Sequence, residues 1–178
     1  MKLLLHICCG PCSLYVIDAL RSETDIVPEG TPITGYFYNP NIHPYDELVK
    51  RSVYAGIAAA HKNIPLITRL DYEPAHWITY KGEKSARCRN CYRVRFEESV
   101  RFAAKHGYTH FTSTLFVSPY QDQELMAEEA RKACRKYGIT FLEGIDFTKG
   151  YHDGRMQAKE LGLYRQKYCG CIRSLKGE

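Results

Sequence analysis

A chain of 178 residues, 44% hydrophobic and 25% charged, is sized for one domain around one substantial core and is not the composition of a disordered chain. No apolar run reaches the ~18 residues that span a bilayer, and Met1 to Cys12 lacks the sections of a secretory leader, so the expected setting is the cytoplasm with no membrane partner. Eight cysteines in a reducing compartment point to metal ligands or redox groups rather than to a disulfide framework, while the net charge of +5 leaves a polyanionic partner open.

Lys2 to Ile7 is a short apolar run ending in a Cys/Gly/Pro cluster, which predicts a buried strand entering a tight turn. Pro11 suits the first turn of a helix, where its missing N–H costs nothing, and Leu14, Val16, Ile17 and Leu20 continue that helix. Ile33 to Tyr38 predicts a second strand, Asn39 to Pro44 a rigid loop, Tyr45 to Lys62 an amphipathic helix and Pro65 to Leu70 a third strand. Tyr72 to Arg87 is polar and irregular, with Trp77 inside it. A helix over Cys88 to His106, a strand over His110 to Val117, a helix over Asp122 to Tyr137 and a last strand over Thr140 to Asp146 complete the expected elements. This alternation predicts a parallel sheet covered on both faces, a three-layer Rossmann-like α/β fold forming a single catalytic domain over residues 1–178. Ligands in such folds bind beyond the carboxyl ends of the strands, where Cys8, Cys9 and Cys12 fall.

Three cysteine clusters carry the chemistry. His6-Ile7-Cys8-Cys9-Gly10-Pro11-Cys12 leaves a strand and opens a helix, whose free N–H groups favour thiolates. Cys88-Arg89-Asn90-Cys91 lies at or near a helix start, where side chains at i and i+3 share a face, with Cβ atoms roughly 5–6 Å apart. In Tyr168-Cys169-Gly170-Cys171 the glycine lets the chain bend so that both sulfurs converge. Seven clustered thiols exceed what a structural zinc ion or one fully cysteine-ligated cluster uses, which leaves thiols for a second metal ion or for dithiol/disulfide cycling. Cys134 lies on the apolar face of its helix with Met126, Ala130, Ala133 and Tyr137 and is read as packing. His6 fits a satisfied core histidine as well as a partner of the thiols.

Residues 81–105 and 149–178 hold 15 of the 25 Lys and Arg but only 6 of the 20 Asp and Glu, and both segments contain cysteines. They form a candidate basic face for a polyanion.

In combination HxCCxPC, YNPNIHP, CRNCY, FTSTLFVSPYQ and YRQKYCGC run nearly end to end and resemble the QueH-type epoxyqueuosine reductases. The resemblance implies the last step of queuosine synthesis, in which the epoxide of epoxyqueuosine at the wobble position of transfer RNA is reduced to an alkene. It further implies a [4Fe-4S] cluster with a nearby mononuclear metal, iron or zinc, on a fold like that of adenine nucleotide α-hydrolases. Cys8, Cys9, Cys12, Cys88, Cys91, Cys169 and Cys171 match the family positions, and their division between cluster and second ion stays open; Asp146 is a candidate to complete either shell. Epoxide to alkene takes two electrons and two protons and releases water, so a protein electron donor is expected. For the anticodon loop, Tyr92, Tyr120, Tyr164 and Tyr168 are candidates to stack on the base. Arg87, Arg89, Arg93, Arg95, Arg165 and Lys167 are candidates to contact phosphates, with Arg93, Arg95, Tyr120 and Arg165 as the leading set. Other readings of the same residues are a zinc-stabilised RNA-binding module, a thiol-disulfide oxidoreductase working through Cys8 and Cys9 or the CxxC pair, and a nucleotide-dependent tRNA-modifying enzyme. The glycine-poor CCGPCS turn speaks against the phosphate cradle the last one needs.

Overall fold

The computed structural model describes residues 1–175 and residue 177; Lys176 and Glu178 of the basic segment lie outside the described residues. Five parallel strands, β1 (Leu3–His6), β2 (Ile33–Tyr38), β3 (Leu66–Arg69), β4 (His110–Ser113) and β5 (Thr140–Phe141), form one sheet in the order β3-β2-β1-β4-β5. β1 is central, with Leu3 in register with Ile33 of β2 and with His110 of β4. All four of its residues are buried, as a strand covered on both faces requires.

The alternation of side chains along β1 and β2 sorts the helices. Leu3, Leu5, Ile33 and Phe37 join one core with residues of α1 (Gly10–Ser22) and α2 (Tyr45–His61). On the opposite face Leu4, Tyr36 and Tyr38 pack against α4 (Lys84–Lys105), and α4 in turn packs on α5 (Gln123–Tyr137). This is the period-two sorting of a doubly wound sheet. α5 has both of its signals in place: Asp122 Oδ1 accepts from the Leu125 N–H at 3.0 Å, and Gly138 closes the helix at φ 68°.

Four expectations are corrected. β4 stops at Ser113, because the serine hydroxyl accepts from the Leu115 N–H at 3.1 Å and turns Thr114–Val117 into a 3-10 turn. β5 is an edge strand of two residues, Thr140 and Phe141 paired with His110 and Phe111, because after the Leu142 N–H donates to the Phe111 carbonyl at 2.9 Å the chain leaves the sheet. Within the polar stretch 72–87 the chain forms α3 (Pro74–Thr79) and the first turn of α4. Finally, α6 (Tyr151–Glu160) and the short α7 (Ile172–Leu175) follow β5, where the sequence suggested no element. No described helix is long and apolar enough to cross a membrane.

Candidate metal centre

β1 delivers Cys8 and Cys9 to the point where the strand order reverses, and α1 begins there with Gly10 and Pro11. The helix start is held unusually close to α2: a Cβ on Gly10 would lie 2.6 Å from the Tyr54 carbonyl oxygen. Cys8, Cys9 and Cys12 therefore point their sulfurs into one group, all within 4.8 Å of one another, with Cys8 and Cys9 Sγ 3.8 Å apart. Thr114, just past β4, grips Cys8 twice, accepting from its N–H at 3.0 Å and donating to its Sγ at 3.2 Å. Hydrogen bonds from Cys12, Cys9 and Thr114 hold the Cys8 thiol well below its ordinary range against the opposing effect of burial. Burial pushes Cys9 up, and the interaction with Cys8 pushes Cys12 up. One sulfur of the three ionises first and the others follow when a cation arrives.

His6 is a satisfied core histidine. It is fully buried, its Nε2–H donates to the Tyr38 carbonyl at 3.1 Å, and its Nδ1 accepts from the Ser113 hydroxyl at 2.8 Å, itself oriented by accepting from Leu115 N–H. Burial lowers its pKa to about 4, so the ring is neutral.

The other two cysteine clusters reach the same place from elsewhere. Cys88 and Cys91 sit in the first turns of α4, and Cys169 and Cys171 arrive on the segment before α7. Together with Cys8 and Cys12 they line one cavity of about 140 Å³. Burial raises the Cys88 and Cys91 thiols, Cys91 to about 12, and the negative charges of Cys169 and Cys171 raise both further. These four sulfurs line the same cavity, but among the described residues only Cys8, Cys9 and Cys12 bring their sulfurs within 4.8 Å of one another. The donors are soft sulfur, and no carboxylate lines the cavity among the described residues, which suits iron-sulfur or zinc chemistry rather than a hard cation.

The C-terminal loop is held by a residue the sequence reading overlooked. Arg51 of α2, 3% exposed, is aligned by Glu47 at 2.7 Å and donates to the carbonyls of Tyr168 at 3.0 Å and Cys169 at 3.2 Å. The His43 N–H donates to the Gly170 carbonyl at 2.9 Å, and Gly170 itself adopts φ +105° with Ile42 against it. A glycine is needed there, as the CGC spacing suggested. The signal for Arg51 was available in its i,i+4 spacing from Glu47, but such a pair ordinarily lies on a solvated face. Gln166 was also missed: its Nε2–H donates to Cys9 Sγ at 2.9 Å.

Beside the thiol cavity opens a larger cleft of about 900 Å³, and the two meet at Cys12, Ser118, Gln121, Gln166 and Cys169. Tyr120, 79% exposed, stands at its wall edge-on to Tyr151, with Arg155, Arg165 and Lys167 around it and no carboxylate among the described lining residues. Of the leading substrate candidates, Tyr120 and Arg165 line this cleft. Arg93 is exposed, donates to Asn90 Oδ1 at 2.8 Å and lines neither cavity, while Arg95 is buried beneath Cys91. Tyr92 donates to Gln121, Tyr164 to Glu47 and Tyr168 to the His43 carbonyl, so their hydroxyls are engaged in the fold. Asp146 lies away from the thiols. It caps the 3-10 turn Phe147–Gly150, accepting from the Thr148 N–H at 3.1 Å and hydroxyl at 2.6 Å, and lines neither cavity. Cys134 is buried in the α4–α5 core, as expected for packing.

Comparisons with known proteins agree with the geometry. The family model described as epoxyqueuosine reductase QueH matches residues 3–177. An epoxyqueuosine reductase QueH of Dehalococcoides mccartyi is 36% identical over 174 residues, covering 97% of this chain and 92% of that protein. One of Haemophilus influenzae is 36% identical over 183 residues, covering 98% and 72% respectively. Among solved structures, a deacetylase in the biosynthesis pathway of teicoplanin superposes with a TM-score of 0.55 at 10% identity, over 90% of this chain and 83% of its own, a likeness of fold alone. With the family model matching from residue 3 to residue 177 and relatives 36% identical along nearly the whole chain, the chain belongs to the epoxyqueuosine reductase QueH family.

Proposed function

We propose that this oxidoreductase reduces the epoxide of epoxyqueuosine, in the anticodon loop of transfer RNA, to the alkene of queuosine. In this reading Cys88, Cys91, Cys169 and Cys171 hold a [4Fe-4S] cluster, while Cys8, Cys9 and Cys12 hold a single iron or zinc ion. The observation that carries it is the convergence of cysteines from residue 8 to residue 171 on one cavity. The division of thiols is supported by the tight mutual spacing of the first three sulfurs and by the electrostatic coupling of Cys88 and Cys91 to Cys169 and Cys171. Asp146, engaged as a cap, is left out of the ligand set. We read residues 1–178 as one catalytic domain, cytoplasmic, on the fold of the adenine nucleotide α-hydrolases, which the strand order and the use of the β1–α1 turn support.

When bound, such a centre supplies electrons singly from a protein donor, and an ion with an open position polarises the epoxide oxygen. The protein's own residues prepare the encounter. The basic cleft draws in the anticodon loop, Tyr120 and Tyr151 offer faces on which an unstacked base rests, and Arg155, Arg165 and Lys167 meet the flanking phosphates. Gln166 stands where cleft and thiol cavity join and fixes Cys9, so the reacting ring approaches between Cys12 and Cys169.

Anaerobic reconstitution followed by turnover of tRNA carrying epoxyqueuosine tests the reading: a brown, iron- and sulfide-containing protein should be active, and full activity in a colourless, iron-free preparation overturns it. Arg155→Glu with Arg165→Glu should weaken tRNA binding at least about tenfold and flatten its salt dependence by about one unit of slope for each phosphate left without its arginine, at unchanged iron content. Filter binding across a salt series reads this, and an unchanged slope removes both residues from the interface.

A further inference from the structure

Two arginines in the thiol region are almost wholly buried, and they are treated differently. Arg51, 3% exposed, has the carboxylate of Glu47 as its counter-charge. Arg95, 4% exposed, has no carboxylate within ion-pair distance among the described residues. A desolvated guanidinium without a counter-anion is strongly disfavoured, so something anionic belongs beside it. Its donors identify that partner: Nε donates to the Cys91 carbonyl at 3.1 Å and Nη2 to Cys91 Sγ at 3.1 Å. Tyr92 backs the guanidinium, with Cζ 5.7 Å from the ring centroid, and no acid of α4 or of the facing elements competes for it in the cavity.

We propose that Arg95 is a positioning residue for the redox chemistry: through its hydrogen bond to Cys91 Sγ it raises the reduction potential of the metal centre that Cys91 helps to hold. The inference rests on the ligand reading given under Proposed function. Each added electron makes a thiolate-ligated cluster more negative, and a fixed positive charge in contact with a ligand sulfur stabilises the reduced state more than the oxidised one. The same contact is stronger than a neutral hydrogen bond and keeps the Cys91 side chain in one orientation. Placing this arginine inward, rather than toward tRNA, gives the enzyme a centre that its donor can reduce readily.

The test is a redox titration of reconstituted wild-type, Arg95→Gln and Arg95→Lys proteins, followed by electron paramagnetic resonance. For the glutamine variant the ratio of reduced to oxidised cluster at a fixed solution potential should fall about tenfold, equal to about 59 mV for a one-electron couple. The lysine variant keeps the charge and should lie between it and wild type. An unchanged midpoint in the glutamine variant, or lysine and glutamine variants that shift equally, overturns the proposal. Spin-echo spectroscopy of reduced wild-type protein labelled with [15N]arginine needs no variant: nitrogen modulation from a guanidinium supports the contact, and its absence overturns it. The ligand reading fails separately, when wild-type protein binds no iron-sulfur cluster at all.

Discussion

Cys91→Ala is expected to strip the protein of its iron-sulfur absorption and to bring turnover to background, while the chain stays folded. The side chain is only partly buried on the second turn of a 22-residue helix whose core contacts come from Phe96, Val100 and Ala103, so its loss removes a ligand and the sulfur partner of Arg95 but little packing. Cys9→Ala should behave differently. Its sulfur belongs to the compact group with Cys8 and Cys12, so the metal lost is one ion per chain while the visible absorption of the cluster survives. Cys134→Ala serves as the control that keeps both, because that thiol is sealed between α4 and α5. Elemental analysis with visible spectroscopy on the three proteins reads the division directly. A Cys9 variant that loses the cluster absorption, or a Cys91 variant that keeps it, contradicts the proposed ligand sets.

The second large effect comes from a hydrogen atom's worth of space. Gly10→Ala places a Cβ 2.6 Å from the Tyr54 carbonyl oxygen and 3.0 Å from its carbon, both backbone atoms that cannot swing aside. The start of α1 must retreat from α2, carrying Cys9 and Cys12 with it. A loss of about 3 kcal/mol, or roughly 6–12 °C in Tm, is expected together with loss of the ion held by the first three sulfurs. Gly56→Ala, on α2 itself, meets nothing within 4 Å and should raise stability by about 0.5–1 kcal/mol through helix propensity alone. Thermal unfolding of the two variants decides it, and equal Tm values for them would remove the close-approach argument.

The sheet was legible because its central strands are buried on both faces and therefore read as unbroken apolar runs. β2 was expected and is found at Ile33–Tyr38, and α2 differs from expectation by one residue. The edges were less legible. β4 was read through to Val117 because Thr-Ser-Thr-Leu-Phe-Val has strand composition, yet a single serine hydroxyl bonding two residues ahead is enough to turn the chain. α6 is mostly polar, with only Gly154 and Ala158 buried, so no apolar periodicity announced it. The thiols themselves were legible as chemistry, since no packing role accounts for seven clustered cysteines. Their convergence was not derivable from spacing, because it depends on Arg51 and His43 holding the Tyr168–Gly170 segment more than a hundred residues away along the chain. Arg95 was misplaced for the same reason: a cationic side chain within a basic segment suggests a phosphate contact, and only the fold reveals the sulfur it faces.

The order in which the thiols occur along the polypeptide governs when the enzyme can mature. Cys8, Cys9 and Cys12 leave the ribosome early, but residues 169 and 171 follow only after every strand of the sheet has been synthesised. A nascent chain therefore passes through a long interval in which its first sulfurs are displayed without their later companions, open to oxidation or to stray zinc. On the proposed ligand sets, loading of the complete centre is a late event, after synthesis has passed residue 171, and iron and sulfide would have to reach a chain that has already closed around its own beginning.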